Sequence, residues 1–559
     1  MKIKKFVRNL FIILTSISSL SLTSFANAVE IKVGVLNLSA TFAPAQSHSN
    51  VDSQFFVNMM EPLIGKNAKN MDNEFGPMFG GLAESYEIHP SKQIIDFKIR
   101  KGVKFHNGDD MTIEDVLFSL QSMINVTDPI RTERSKEFFG NIARAEALDE
   151  NTVRVITKKP DFLTELFLSS QQSMIYPKKY LMSLTGDPDI DEISDYRAFG
   201  LAPVGTGPYK VTSFNPRVEI VYERHDDYWG EKAPYDKITM IRIPEAAARV
   251  TALINGEIDL ATNIAPDQLA TIDNSPGYKT TGAVTPLFHV IYFGGAGYDR
   301  ESDALSGGSK TFTKELRQAM VSAVDRDLLN DALWFGKSVV PSTHSYPNYG
   351  KFYTPDFDTF SYDIEKAKKL IKDNNLEGTK IEFWTDPYYY TNGLLAAQAM
   401  AEMWKEIGID VTIRTTETWA AKGEPGSWGY NGQMQNWSNP MYYADPHGSF
   451  GKMWAPGGAG MTRELWNPSI GMEAYTELYN EFRWELDPEI RNAKYGEIMD
   501  LVKEDAFMLV LYQPFESYGM REDLHWDPFP GHIPYVLDFR AGMFLSLIHI
   551  SEPTRRSVI

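Results

Sequence analysis

Cysteine is absent from all 559 residues. That removes disulfides, thiolate nucleophiles and Cys-based zinc sites. It also removes the residue that a bacterial lipoprotein anchor requires, so no lipid anchor is expected. Histidine is sparse: the ten are scattered with no HxxxH or HxH spacing. His525 and His532 flank the turn segment "WDPFPG" and read as loop histidines rather than metal ligands. No G-x-S-x-G elbow occurs, and no Ser, His and Asp set stands out. "GTGPY" (Gly205–Tyr209) lacks the lysine and helix start of a phosphate loop and reads as a tight turn into a strand. The neighbouring Asp226 and Asp227 alternate along the chain and need not converge. Nothing here points to catalysis, a cofactor or a metal. Positive charge is in deficit as well, 55 Lys and Arg against 74 Asp and Glu, a formal −19. Such a surface repels nucleic acid and anionic lipid, and neither is an expected partner.

Long apolar runs are missing except at the start, "MKIKKFVRNLFIILTSISSLSLTSFANAVEI". Lys2, Lys4, Lys5 and Arg8 lead. An apolar run from Leu10, diluted by Ser and Thr, follows to Leu22, and Ala26-Asn27-Ala28 supplies a cleavage pattern. The pattern predicts a signal peptide over 1–28 and a mature start at Val29. The alternative, a membrane anchor, requires a run able to span about 30 Å of hydrocarbon. A protein released into the periplasm is expected. At the other end "LSLIHISEPTR" (Leu545–Arg555) resembles translated sequencing-adapter read-through. Residues 545–559 are therefore read as an artefact, against the alternative of a genuine hydrophobic tail.

What remains suits a globular α/β protein. At roughly 100–200 residues per domain the mature chain holds two to four domains. Ile31, Val33 and Val35 alternate and predict a strand; "IDFKIRKGVKF" and "NTVRVITK" read likewise. "TKELRQAMVSAVDRDLLNDAL" predicts one amphipathic helix, with Leu316, Ala319, Met320 and Ala323 on a face. "AAQAMAEMWKEIGIDVTIR" predicts a helix stopped at Gly408, then a strand through Ile409, Val411 and Ile413. "YGEIMDLVKEDAFMLVLYQP" repeats the helix-then-strand order. The mixture indicates α/β lobes with covered sheets.

"RKGVKFHNGDDMTIEDVLFSL" (Arg100–Leu120) concentrates acids and bases, yet each has a structural role. At about 100° per residue, Val116, Leu117, Leu120, Met123 and Ile124 share one arc. Thr112 with Asp115 fits a capping box, Glu114 and Asp115 suit the positive end of the helix dipole, and Asn107-Gly108-Asp109 is turn chemistry. Phe118 alone lies opposite the apolar arc. It either packs on a second lobe or lines a cleft.

This region, from "GGLAESYEI" to "VLFSL", resembles the signature of bacterial extracellular solute-binding proteins of the peptide/nickel class, family 5. Three further blocks carry the likeness: Val204–Leu260, Leu316–Leu329 and Tyr362–Asp373. The resemblance implies a bilobal periplasmic-binding-protein fold with an extra subdomain inserted in the first lobe. The implied division is lobe I over 29–54, 202–283 and 506–544, the insert over 55–201, and lobe II over 284–505. Crossings near 283 and 506 would form the hinge. It further implies a monomeric binding component of an ABC importer. Such a protein captures short peptides and delivers them to inner-membrane permease subunits. An opine, an oligosaccharide or a metal complex is the alternative cargo. A secreted hydrolase or a chaperone is the alternative class.

Aromatics make up 13% of the chain, with 11 Trp, and flat rings grip varied ligands at low entropic cost. The resemblance places Trp419, after "VTIRTTET", in the pocket, against the alternative of a core tryptophan. Peptide-binding relatives then carry a Trp-x-x-Asp segment whose Asp pairs with the ligand amino group. Here "NWSNPMYYADPHGSF" retains Trp437 but sets Pro440 at the Asp spacing. Asp445 either substitutes as the anchor or caps a loop. The resemblance adds Phe118 as a cleft aromatic, His48 and Asn50 in the loop "AQSHSNVDS", and Tyr512 at the end of the last strand.

Overall fold

A computed structural model describes residues 29–46, 54–66, 78–125, 138–187, 192–193, 196–294, 296–299, 304–308, 312–347, 349, 354, 357–385, 387, 390–415, 434–443, 445–458, 460–461, 465–528 and 537–540. Three sheets carry the architecture. The first has seven strands in the order β6 (Tyr209–Asn215), β7 (Glu219–Arg224), β8 (Lys237–Arg242), β1 (Glu30–Val35), β9 (Leu260–Ala261), β16 (Phe515–Arg521) and β10 (Tyr278–Val284). Strand β1 is parallel to both neighbours, with Val33 opposite Met240 of β8 and Leu260 of β9. Its alternating Ile31, Val33 and Val35 are buried, as the period of two requires. Strand β16 runs antiparallel to β9 and β10, so its amino end lies at the carboxyl edge of the parallel strands.

The second sheet has five strands, β13 (Asp410–Thr415), β12 (Lys380–Thr385), β14 (Met434–Pro440), β11 (Leu287–Tyr292) and β15 (Met508–Tyr512). A third, β2 (Ala83–Ile88), β3 (Ile94–Ile99), β5 (Thr152–Thr157) and β4 (Ile142–Asp149), is antiparallel throughout. Helix α1 (Ile113–Ile124) packs on it, burying Val116, Leu120 and Met123. The Thr112–Asp115 capping box is formed, and Asp109 N–H donates to Asn107 Oδ1 at 3.2 Å. The acid-rich stretch is thus scaffold.

Each sheet has its own core, and the cores move the expected boundaries. Phe55, Phe56, Met59 and Met60 pack in the first core, not with the insert, as do Met174, Tyr176, Leu181, Tyr196 and Phe199. The insert's core is built from residues 63–175 together with Tyr442 and Tyr443 of the second body. The chain crosses between the first and second sheets twice, out at 285–286 between β10 and β11 and back at 513–514 between β15 and β16. The second crossing is therefore not at 506. Ala506, in the left-handed conformation (φ 47°), ends helix α7 (Pro488–Asp505) and turns the chain into β15, whose five residues are buried beside β11.

The single helix expected over 313–333 is two, α3 (Lys314–Ser322) and α4 (Arg326–Trp334). The Asp325 carboxylate accepts Leu328 N–H at 2.9 Å and starts a new helix. Further helices follow: α2 (Ala246–Ile254) on the first sheet, and α5 (Gly393–Glu406) and α6 (Met472–Trp484) in the second body. Gly408 (φ 86°) stops the chain after α5, before β13.

Candidate ligand site

The two crossings are tied to each other. Thr285 N–H donates to Pro514 O at 3.0 Å, and Gln513 Nε2 to Thr285 O at 3.2 Å. Pro514 has no N–H to give, so the two crossings are joined to each other by one backbone bond and by the side chains of Thr285 and Gln513, and Gln513 pairs with Val339 beside them. Closer to the crossings lie two of the sequence-derived residues. Trp437 on β14 and Tyr512 on β15 line one small cavity with His289, Tyr390 and Asn436, closed by Gly393, Ala396 and Met400 of α5. Its volume is about 10 Å³, the scale of one water. Every lining residue belongs to the second body. The His289 ring is 4.6 Å from Tyr390 and 5.3 Å from Tyr512. Burial lowers the His289 pKa to about 3, so the ring is neutral, and pushes the Tyr512 phenol up to about 12. Asn436 Nδ2 donates to Thr385 Oγ1 at 2.8 Å, and Tyr390 Oη to Ser438 Oγ at 3.0 Å.

Asp445 and Phe118 are placed elsewhere. The Asp445 carboxylate is fully buried and gives both oxygens to Arg491 of α7, at 2.7 and 2.6 Å. It also caps a short turn by accepting His447 N–H at 2.8 Å. A ligand ammonium would have to displace a buried guanidinium to reach it. Phe118 is half-buried against the first core, with the Lys178 ammonium 5.8 Å from its ring centroid. His48, Asn50 and Trp419 lie outside the described residues.

Two features escaped sequence reading. One joins the insert to the second body: Arg483 of α6 donates to both oxygens of Asp161, at 3.0 and 2.8 Å, with both side chains buried. Around it Phe138 packs on Tyr442 and Tyr443, Phe167 on Tyr443, and the Arg491 guanidinium sits 4.8 Å from Phe162. No spacing pairs residues 322 positions apart. The other is a buried carboxylate, Glu61. It accepts from Thr206 Oγ1 (2.9 Å), Tyr228 Oη (2.8 Å) and Trp229 Nε1 (3.0 Å), and burial raises its pKa. Thr206 belongs to "GTGPY", whose glycines press on the chain: a Cβ on Gly205 would stand 2.0 Å from Met59 O. The turn is thus an anchor between the first core and residues 58–61.

Among the described residues no group of three or more His, Asp and Glu could hold a metal ion, and no helix is long and apolar enough to cross a membrane. Comparison with known proteins names what this geometry resembles. A di/tripeptide-binding protein 1 of Pseudomonas aeruginosa is 27% identical over 477 residues, 80% of this chain and 82% of that one. The periplasmic binding protein DppA of Helicobacter pylori, solved with the peptide STSA, superposes with a TM-score of 0.77 at 21% identity, covering 92% of this chain and 98% of that one. AgaA of A. tumefacien R10, solved with agropinic acid, gives 0.73 at 21% identity, covering 91% and 96%. The model of the family "Bacterial extracellular solute-binding proteins, family 5 Middle" matches residues 78–461. With that match spanning more than half its length, the chain belongs to the family 5 bacterial extracellular solute-binding proteins.

Proposed function

We propose that this protein is a monomeric periplasmic receptor that captures a short peptide and delivers it to an ABC permease in the inner membrane, with no bond made or broken. The observation that carries this reading is mechanical: two α/β bodies joined by two adjacent crossings, at 285–286 and 513–514. A ligand that touches both bodies favours the closed arrangement by its differential affinity for it. Trp437 and Tyr512 supply the aromatic wall on the second body, and Phe118, on the insert's helix α1, packs against the first core; Trp419, His48 and Asn50 remain the further candidates of the family likeness. A peptide is the preferred cargo because the P. aeruginosa relative is a di/tripeptide-binding protein.

A second reading, an opine or similar amino-acid derivative, is favoured by one observation. Pro440 stands at the spacing where peptide-binding relatives carry their amino-group Asp, and Asp445 is engaged by Arg491. Mass spectrometry of small molecules released from the purified protein decides between the two. Peptides of two to five residues support the first reading, and a non-peptide amine derivative the second. Saturable turnover of a chromogenic ester or peptide would overturn both.

A further inference from the structure

A buried carboxylate with one unpartnered oxygen lies where a solute would meet the first body. Open α/β sheets receive ligands outside the carboxyl ends of their parallel strands, at the point where the strand order reverses. Here that point is β1, flanked by parallel β8 and β9. Strand β16 brings Glu516 to this edge. Gly519 is opposite Ala261, the last residue of β9, and Ser517 O accepts Ile264 N–H at 3.0 Å, so Glu516 stands beyond the strand's end. It is also two residues from the 513–514 crossing.

Glu516 is 1% exposed. Its Oε2 accepts from Asn263 Nδ2 at 2.8 Å, and its Oε1 has no hydrogen-bond partner among the described residues. Asn263 is held in the left-handed conformation (φ 52°) just past β9, with its Oδ1 accepting from Thr262 Oγ1 at 2.8 Å. The cation whose charge reaches Glu516 is Arg249 of α2. Its guanidinium is spent on the carbonyls of Thr262, Ile243, Pro244 and Asn263, at 2.6–2.8 Å, and makes no hydrogen bond to the carboxylate. A carboxylate taken out of water without a paired cation is strongly disfavoured. The corresponding acid on the second body, Asp445, already has its cation in Arg491.

We infer that Glu516, positioned by Asn263, binds the cationic group of the solute from the first body. The solute class is then amine-bearing: a peptide α-ammonium, or a free amine of a non-peptide derivative. The inference rests on the receptor reading above and relocates the amino-group anchor from the second body to the hinge edge of the first.

Calorimetry on the full-length protein tests it with three probes: tri-alanine, N-acetyl-tri-alanine and putrescine. Tri-alanine should bind and its acetylated form should not compete. Glu516→Gln should weaken tri-alanine roughly 10–100-fold, the range of one charge-assisted hydrogen bond. Glu516→Asp, which keeps the charge, should retain the preference for the free amine. If wild-type protein binds free and acetylated tri-alanine equally, or Glu516→Gln binds tri-alanine unchanged, the inference falls while the peptide reading stands. If only putrescine binds and Glu516→Gln abolishes it, the inference stands and the peptide reading falls. If none of the probes binds, both fall. Should Glu516→Gln not fold, the wild-type comparison of free and acetylated peptide decides alone.

Discussion

Two histidines share one carbonyl in the Gly205–Tyr209 turn. Gly207 O lies 3.0 Å from His106 Nε2 and 3.2 Å from His225 Nδ1, and the rings cross at 87°. Gly205 N–H donates to His106 Nδ1 at 3.2 Å, so that nitrogen carries no proton and His106 is neutral, its hydrogen on Nε2. Protonation would set N–H against N–H. Burial holds the His106 pKa down to about 3, with the carbonyl of Gly207 partly opposing it. The unfolded chain therefore binds a proton between pH 6.5 and about 3 that the folded chain refuses. Stability is complete above pH 6.5 and declines as the pH falls through that window, by about 1.4 kcal/mol per unit for this one group. Thermal melts at pH 7.5 and 5 should show His106→Gln losing less on acidification than the native chain. Equal losses would mean that His106 is not the group that titrates. Glu516 carries the opposite sign. Burial raises its carboxyl to about 7, against the hydrogen bond from Asn263 and the charge of Arg249, with Tyr518 as its other titratable neighbour. The folded state thus binds the extra proton, and stability is lost as the pH rises from 4.5 to about 7. Glu516→Gln should melt no lower than the native protein at pH 8 without ligand.

At the scale of the element, the loop after β14 carries a fully buried ion pair. Asp445 and Arg491 are both fully buried, and Arg491 also lies 4.3 Å from the Phe482 ring and 4.8 Å from Phe162. Breaking such a buried pair by removing one member costs about 3–5 kcal/mol. Asp445→Ala is therefore expected to shift the chemical-denaturation midpoint sharply downward. A stable Asp445→Ala that instead lost ligand affinity would restore it as a direct contact. What sequence reading could reach follows from range. The capping box at Thr112 and Asp115, the stop at Gly408 and the alternation in β1 are local, and each was legible. The break between α3 and α4 was missed because the apolar face runs on across Ser322–Asp325, and only the cap geometry of Asp325 separates the helices. Trp437 and Tyr512 were reachable through family likeness, since 75 residues separate them. Nothing in periodicity marks the two-residue strand β9, or the way it brings Glu516 beside Asn263, 253 residues away.

The whole molecule is a hinge with a clasp. The bodies meet at the crossings, and the insert meets the second body at Asp161–Arg483, a pair with 0% and 7% side-chain exposure. Arg483 is further covered by Phe167 and Trp484, at 5.5 and 4.2 Å. If the bodies part in the receptor cycle, both ions return to water, so the pair contributes to the closed state alone. Deleting one partner then strands a charge only when the protein is closed. Arg483→Met should weaken ligand binding about 10²-fold or more, taking about 3 kcal/mol from closure. It should leave the melting temperature of the ligand-free protein nearly unchanged. Asp161→Leu combined with Arg483→Met, which removes both charges, should recover much of the affinity. X-ray scattering supplies the second readout: with ligand present, the single variant should keep the larger radius of gyration of the open form. A variant that melts much lower yet binds ligand normally would show that the insert and the second body never separate. Movement would then have to occur between the insert and the first core, across the Glu61–Thr206 contact.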